Sequence, residues 1–241
     1  MPHRAEARER DSQRNPAETL EFFGVKPHHS VVEIWPGGGW YTDILAPYLH
    51  KNGEFFAAHF NPDSSVAFFQ KSRAAFETKI EAMPTLYDQT MVTVFDPPKL
   101  TEIAPKNSVD HVLTFRNIHN WYMRGAGEAK LKAAFESFYN ALKPGGILGV
   151  VEHRLPEARP LTDQDQSGYM KQSYVIAIAQ SIGFTLVETS EINANPLDTA
   201  DHPNGVWTLP PRLRIDEAQK SHFAKIGESD RMTLKFQKPK K

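Results

Sequence analysis

Short apolar runs alternate with longer segments of helical spacing from residue 30 to residue 187, and no other feature of the sequence constrains the fold as tightly. Runs of strand character span 30–34, 55–60, 91–95, 111–115, 147–151 and 184–187. Tyr41, Ile44, Leu45, Tyr48 and Leu49 recur on one helical face, as do Val66, Phe69, Phe76 and Ile80. Positions 131, 134, 135, 138, 139 and 142 trace a third helix, and 170–182 a fourth, closed by Gly183. A stripe recurring every three to four residues marks a helix packed on a core. Five strand–helix alternations therefore predict an α/β domain, a doubly wound and mostly parallel sheet with helices on both faces.

Local signals refine this outline. Asn15-Pro16 is expected to open a helix, with Asn as cap and Pro in the first position, and Gly24 to close it. Pro47 should kink or shorten its helix, because its ring displaces a backbone hydrogen bond. Asp63 is expected to cap the helix carrying Val66 to Ile80, and the Lys-Pro-Gly-Gly run at 143–146 to stop the one before it. Residues 231–237 alternate as a seventh strand. Before it lies an insertion, 191–230, with four prolines, and connections this long are usually functional or mobile. Strand six runs parallel to strand one, so its chain leaves at the ligand edge of the sheet. The insertion is thus expected to form a lid or wall, with Trp207 and Arg212 as its contacts; a disordered surface loop is the alternative. Residues 1–14 read as a flexible charged leader, and 15–241 as a single domain.

The chain has 241 residues, which favours one elaborated domain over two. With 28 basic and 29 acidic residues, nothing in the charge balance calls for a nucleic acid or an anionic membrane as partner. The 238–241 tail is expected to be a solvated end. The absence of cysteine excludes disulfides, thiolate metal sites and a cysteine nucleophile. No dense histidine spacing such as HExxH occurs, so no metal is expected. No stretch approaches the ~20 apolar residues of a membrane span. The charged first residues lack the apolar core of a signal peptide. A cytoplasmic protein is expected, with the periplasm open for a processed chain; the oligomeric state is not legible.

In open α/β sheets ligands bind beyond the carboxyl ends of the strands, where glycine turns meet helices. Gly37-Gly38-Gly39 follows the first strand, and glycine there permits positive φ and close approach of a ligand to the backbone. A tight turn with no ligand uses the same residues.

From Glu33 through Trp35, Gly37 and Gly39 to Thr42, the sequence resembles the first motif of class I S-adenosylmethionine-dependent methyltransferases. Ala141 to Ile147 resembles that family's turn into strand five, and Asn117 to Trp121 its segment beside the cofactor's methionine end. The segments at 15–24, 33–40 and 191–195 are similar to a group of bacterial predicted methyltransferases. The resemblance implies a seven-stranded sheet whose last strand is antiparallel, S-adenosyl-L-methionine as cofactor, and a small-molecule substrate.

It also implies roles for particular residues. Gly37, Gly38 and Gly39 would bring backbone to the cofactor, Glu33 and Asn117 would lie at its amino-acid end, and Asp96 at the adenine amino group. Two positions depart from the family. Trp35 stands where the motif has its first glycine, and His59 where an acidic residue binds the ribose. Trp35 and Trp121 are candidates to offer ring faces to the sulfonium, worth roughly 0.5–2 kcal/mol per contact, and serve equally as core residues. Methyl transfer needs a base only where the acceptor must lose a proton, and His119, then His153, are the candidates. Arg116 and Arg154 flank the same rim and are candidates to hold a substrate carboxylate or phosphate. Ordinary ion pairing is the alternative for both.

Two other readings stay open. The Trp35 and His59 departures favour a catalytically inactive ligand-binding or sensing protein on this fold. An NAD(P)-dependent oxidoreductase would need a third glycine where Thr42 stands and an acid at the end of strand two.

Overall fold

The computed structural model describes residues 2–240. Seven strands form one sheet: β1 (Ser30–Ile34), β2 (Glu54–His59), β3 (Thr90–Val94), β4 (Val109–Phe115), β5 (Leu142–Leu155), β6 (Thr185–Ser190) and β7 (Arg231–Gln237). Their order is β3-β2-β1-β4-β5-β7-β6, and a two-residue strand, Met170–Lys171, adds to the end of β5. The first five strands pair in parallel, with Val31 opposite Phe55 on one side and His111 on the other. Strand β7 enters antiparallel between β5 and β6. This is the doubly wound, mostly parallel sheet with an antiparallel last strand that the alternation and the resemblance imply.

Helices α1 (Pro16–Phe23), α2 (Thr42–Leu49), α3 (Ala67–Ala82), α4 (Ile118–Tyr122), α5 (Gly127–Ala141), α6 (Gln172–Ile182) and α7 (Glu217–Ile226) surround the sheet. Strand residues alternate between two cores, because successive side chains point to opposite faces. Val32 and Ile34 join Leu131, Phe135, Phe138 and Ile178 beneath α5 and α6. Val31 joins Phe23, Leu45 and Phe55 beneath α1 and α2. At Gly149 an added Cβ would come within 2.8 Å of the Phe23 ring, so the missing side chain in β5 lets α1 lie against the sheet.

Several local expectations are corrected. Helix α2 runs through Pro47, and the Asp43 carbonyl left without its helical donor accepts a hydrogen bond from His3 Nε2 at 3.0 Å. Asn15 does not cap α1; its backbone is left-handed and its amide donates to the Ile192 carbonyl at 2.7 Å. Asp63 is exposed and lies ahead of α3, which starts at Ala67 without a side-chain cap. The 143–146 run is an irregularity within β5 itself. The leader is not a free segment. It folds as short helical turns, Arg4 pairs with Asp11, and the Arg4 and Arg14 guanidinium groups lie over the Trp40 ring. Lys238 is buried and donates to the Tyr139 and Leu142 carbonyls at the end of α5, so the tail is docked at that point. Among the described residues, no helix is long and apolar enough to cross a membrane.

Candidate functional site

Parallel pairing carries the ends of β1, β2, β4 and β5 to one edge of the sheet, and Glu33, Trp35, His59, Arg116, Asn117, His119, His153 and Arg154 lie at or just beyond those ends. The chain leaves β1 through Trp35, whose φ of 45° is unusual for a side chain of that size, and turns at Gly37 (φ 59°) and Gly39 (φ 78°). A Cβ at Gly37 or Gly38 would meet nothing within 4 Å, so the outer edge of the turn is open to an approaching group. Lys79 closes the other side, donating to the Gly38 carbonyl at 2.9 Å.

The space beside this turn is filled from within. Left-handed backbone aims the Trp35 indole into a cluster of Phe60, Phe69, Phe95 and Trp121, with ring centroids 4.7–6.2 Å away. Its Nε1 donates to the Phe95 carbonyl at 2.8 Å, and the residue is 6% exposed. His59 is fully buried. Its Nε2 donates to the Gly37 carbonyl at 3.1 Å while its Nδ1 accepts the Phe60 N–H at 2.7 Å. That pairing requires the neutral ring, and burial pushes its pKa down to about 4. With both nitrogens engaged, His59 pins the glycine turn and offers nothing to a ribose. Trp121 is fully buried and belongs to the core. Asp96 opens a turn whose Lys99 and Leu100 N–H groups return to its carbonyl.

The glycine edge is open, but the cofactor's nucleoside would have to occupy the room between the ends of β1, β2 and β3, where the indole packs. In this arrangement the Trp35 indole holds the room that the resemblance assigns to the nucleoside, so that end of the cofactor enters only when the ring swings out. The cofactor's amino-acid end would also meet partners already in use. Glu33 is 2% exposed and bonded to Thr42 Oγ1 at 2.6 Å, and burial pushes its carboxyl up to about 8. The Asn117 amide donates to the Ile34 carbonyl at 2.8 Å, tying β4 to β1.

At the ends of β4 and β5 the chemistry is richer. Glu152 is fully buried in β5, and its side chain accepts the Ile118, His119 and His153 N–H groups and His119 Nδ1 at 3.0 Å. The helical turn α4 follows directly on β4, which is why backbone N–H groups there point at this carboxylate. Because Nδ1–H of His119 is committed to Glu152, Nε2 keeps its lone pair, the arrangement of a base held in one tautomer. Glu152 is the residue that sequence reading missed; its position after four apolar strand residues, beside His153, was the available signal. His153 lies with its ring 5.3 Å from that of His119 and its Nδ1 on Ser229 Oγ. Burial, then the charges of His119, Arg116 and Arg231, hold its pKa well below the ordinary value.

His119, Glu152 and His153 are also the one group among the described residues whose ligand atoms, all within 4.8 Å of one another, could hold a metal ion. Electrostatics oppose a dication there. Each Glu152 oxygen already accepts two N–H groups, and Arg14, Arg116 and Arg231 all act on His153.

Arg154 is not available to substrate. It pairs with Asp230 at 2.8 Å and Glu191 at 2.6 Å, clamping both ends of the insertion to β5. Two carboxylates from one segment are a complete set of partners for one guanidinium. Arg212, in the insertion, is exposed, and its side chain makes no hydrogen bond or ion pair among the described residues. Trp207 does reach the centre, with its ring 6.1 Å from that of His119. It also lines a cleft of about 730 Å³ between residues 159–167 and 200–214. Arg116 is half-buried, has φ 61°, and its side chain has no hydrogen-bond or ion-pair partner among the described residues.

No protein-family model matches the sequence, and neither does any curated protein. Solved structures do share the fold. A SAM-dependent methyltransferase from Aquifex aeolicus is similar with a TM-score of 0.62 at 14% identity, over 95% of this chain and 92% of that one. The [4+2]-cyclase SpnF is similar at 0.61 and 16%, over 95% and 81%. CrArsM, an arsenic(III) S-adenosylmethionine methyltransferase from Chlamydomonas reinhardtii, is similar at 0.55 and 13%, over 90% and 65%. The fold is thus that of the class I S-adenosylmethionine-dependent methyltransferases. Since one of the three is named as a cyclase, the fold leaves the reaction to be argued from the site.

Proposed function

We propose that the chain transfers a methyl group to an O–H or N–H of a small-molecule acceptor bound at the ends of β4 and β5. The observation that carries this reading is the buried His119–Glu152 pair at the ligand edge of a methyltransferase fold. S-adenosylmethionine is the donor the fold implies, and it would supply an already activated methyl on sulfonium. The chain's own task is then alignment, exclusion of water and removal of the acceptor proton. His119 Nε2 takes that proton, and Glu152 holds the ring and stabilises the imidazolium that forms. Positioned bases contribute typically 10²–10⁴-fold. His153, with its pKa depressed, serves as a neutral hydrogen-bonding neighbour. Trp207 and the clamped insertion form the outer wall of the site.

Donor binding requires the Trp35 indole to leave the nucleoside space. The filled space favours a second reading, in which the chain binds its small molecule without the cofactor and performs no methyl transfer.

Calorimetric titration with S-adenosylmethionine separates the two, using wild type and Trp35→Gly. A labelled-methyl assay on a metabolite extract with wild type and His119→Gln supplies the second arm. Binding by wild type, with transfer lost by 10²-fold or more in His119→Gln, is the expected outcome. Binding by neither protein rejects methyl transfer and leaves the second reading.

A further inference from the structure

Arg231 lies opposite His153 in the sheet, Arg14 and Arg116 also act on that histidine, and Arg10 joins Arg14 and Arg231. Arg10 and Arg14 come from the N-terminal segment, Arg116 from the end of β4, and Arg231 from the start of β7. One carboxylate, Glu228, is in ion-pair contact with three of them. Its Oε1 accepts Arg10 Nε at 2.6 Å, and its Oε2 accepts Arg14 Nε at 3.0 Å and Arg231 Nη2 at 2.8 Å. Arg14, Arg231 and Glu228 are each 5% exposed or less. Glu152, the other carboxylate nearby, is already bonded to His119 and three backbone N–H groups, and Glu33 is largely neutral at pH 7. The cluster therefore carries an uncompensated positive charge in a poorly solvated place.

Two of its groups are unsatisfied. Arg231 Nη1 is buried with no acceptor. Arg116 has no hydrogen-bond or ion-pair partner among the described residues, yet its charge acts on Arg14, Arg231, His153, Tyr41, Glu33 and Glu228. Glu228, already shared by three guanidinium groups, attracts it only at a distance. Buried charges in native proteins are paired, and the Arg231 guanidinium is satisfied on one side only. Burial, followed by repulsion from Arg116, holds the Arg14 guanidinium down to about 8.

We infer that Arg116 and Arg231, backed by Arg14, form an anion subsite that takes the carboxylate or phosphate group of the small molecule on which His119 acts. Planar guanidinium groups suit both anions, because each presents parallel N–H donors to two oxygens. Arg116 lies three residues from His119 and acts electrostatically on His153, so an anchored anion places the rest of its molecule beside the base. The inference rests on the proposal that a small molecule is worked on at this edge, and it narrows that molecule to an anion. It holds with or without a methyl donor.

The experiment measures melting temperature and calorimetric binding for wild type, Arg116→Gln and His119→Gln, without cofactor. Inorganic phosphate and malonate are the probes, against sodium chloride at matched ionic strength. Wild type should be stabilised by phosphate, malonate or both beyond chloride, and the stronger probe identifies the anion class. Arg116→Gln should weaken that binding about tenfold or more, the loss of ~1.4 kcal/mol or more. His119→Gln should keep it. Arg116 has no bonded partner to lose among the described residues, so Arg116→Gln without ligand should melt at or above the wild-type temperature, which verifies that it folds. Equal effects of probes and chloride on wild type, or undiminished binding by Arg116→Gln, overturn the subsite. Wild type that binds an anion but transfers no methyl rejects methyl transfer and leaves the subsite intact.

Discussion

Burial pushes the Glu33 carboxyl up to about 8, so at neutral pH this acidic residue is mostly protonated. The folded state binds a proton that the unfolded chain, with its carboxyl near 4.5, has released. Stability from this group is full below about 4.5 and falls as pH rises through about 8. Glu33→Gln, which keeps the shape and cannot ionise, should remove that fall. Urea midpoints at pH 5 and pH 9 measure it: the variant should gain on wild type as pH rises. A constant difference would place Glu33 in a wetter site than its 2% exposure indicates. Trp35 carries a second expectation at this scale. Trp35→Ala empties the centre of a ring cluster and loses the bond to Phe95, at a cost of about 3–5 kcal/mol by urea denaturation. That Trp35 is large and replaces a glycine was plain in the sequence. Its left-handed backbone, which turns the ring inward, was not.

Helix α5 and the insertion show how distant residues finish an element. The last carbonyls of any helix lack intrahelical donors, and α5 ends where Lys238, almost a hundred residues on, donates to two of them. Lys238→Ala should cost about 1–3 kcal/mol, seen as a lower denaturant midpoint with unchanged slope. The insertion is tied down by Arg154 at both ends. Asn193 also reaches Thr19 and Thr233 from within it. Arg154→Ala should speed proteolytic cleavage within 191–230 several-fold while the strand core keeps its protection, as hydrogen exchange would report. Equal loosening of β1 and β4 would show that the clamp supports the whole domain. The insertion's length and prolines marked it in the sequence as unusual. Which charges hold it could not be read, because each side chain had several candidate partners of opposite sign.

Across the described residues, burial lowers the pKa of four histidines, His29, His59, His111 and His153. The pKa of His59 is about 4, that of His111 about 3, and that of His153 well below its ordinary value. Unfolded histidine titrates near 6.5. Between that value and the depressed ones, the unfolded chain binds protons that the folded chain refuses, so stability falls as pH drops below about 6.5. Glu33 acts oppositely between 4.5 and 8, and the four histidines outnumber it. Denaturant midpoints should therefore fall from pH 7 to pH 5, most steeply in Glu33→Gln and less steeply in His111→Gln. A midpoint rising on acidification would contradict this set of buried neutral rings.

The alternation of strands and helices, the sheet they form and the edge where ligands meet it are set by the sequence alone, because hydrophobic periodicity and glycine turns act over a few residues. Partners are chosen over far longer separations. Arg10 meets Glu228 across 218 positions, and Arg154 meets Asp230 across 76. Only the folded chain decides that the indole fills the glycine pocket, that Arg154 is consumed by ion pairs and that Arg116 is left without one among the described residues. Side-chain chemistry depends on burial and on which charges lie opposite, and neither exists until the sheet and its insertion close on one another.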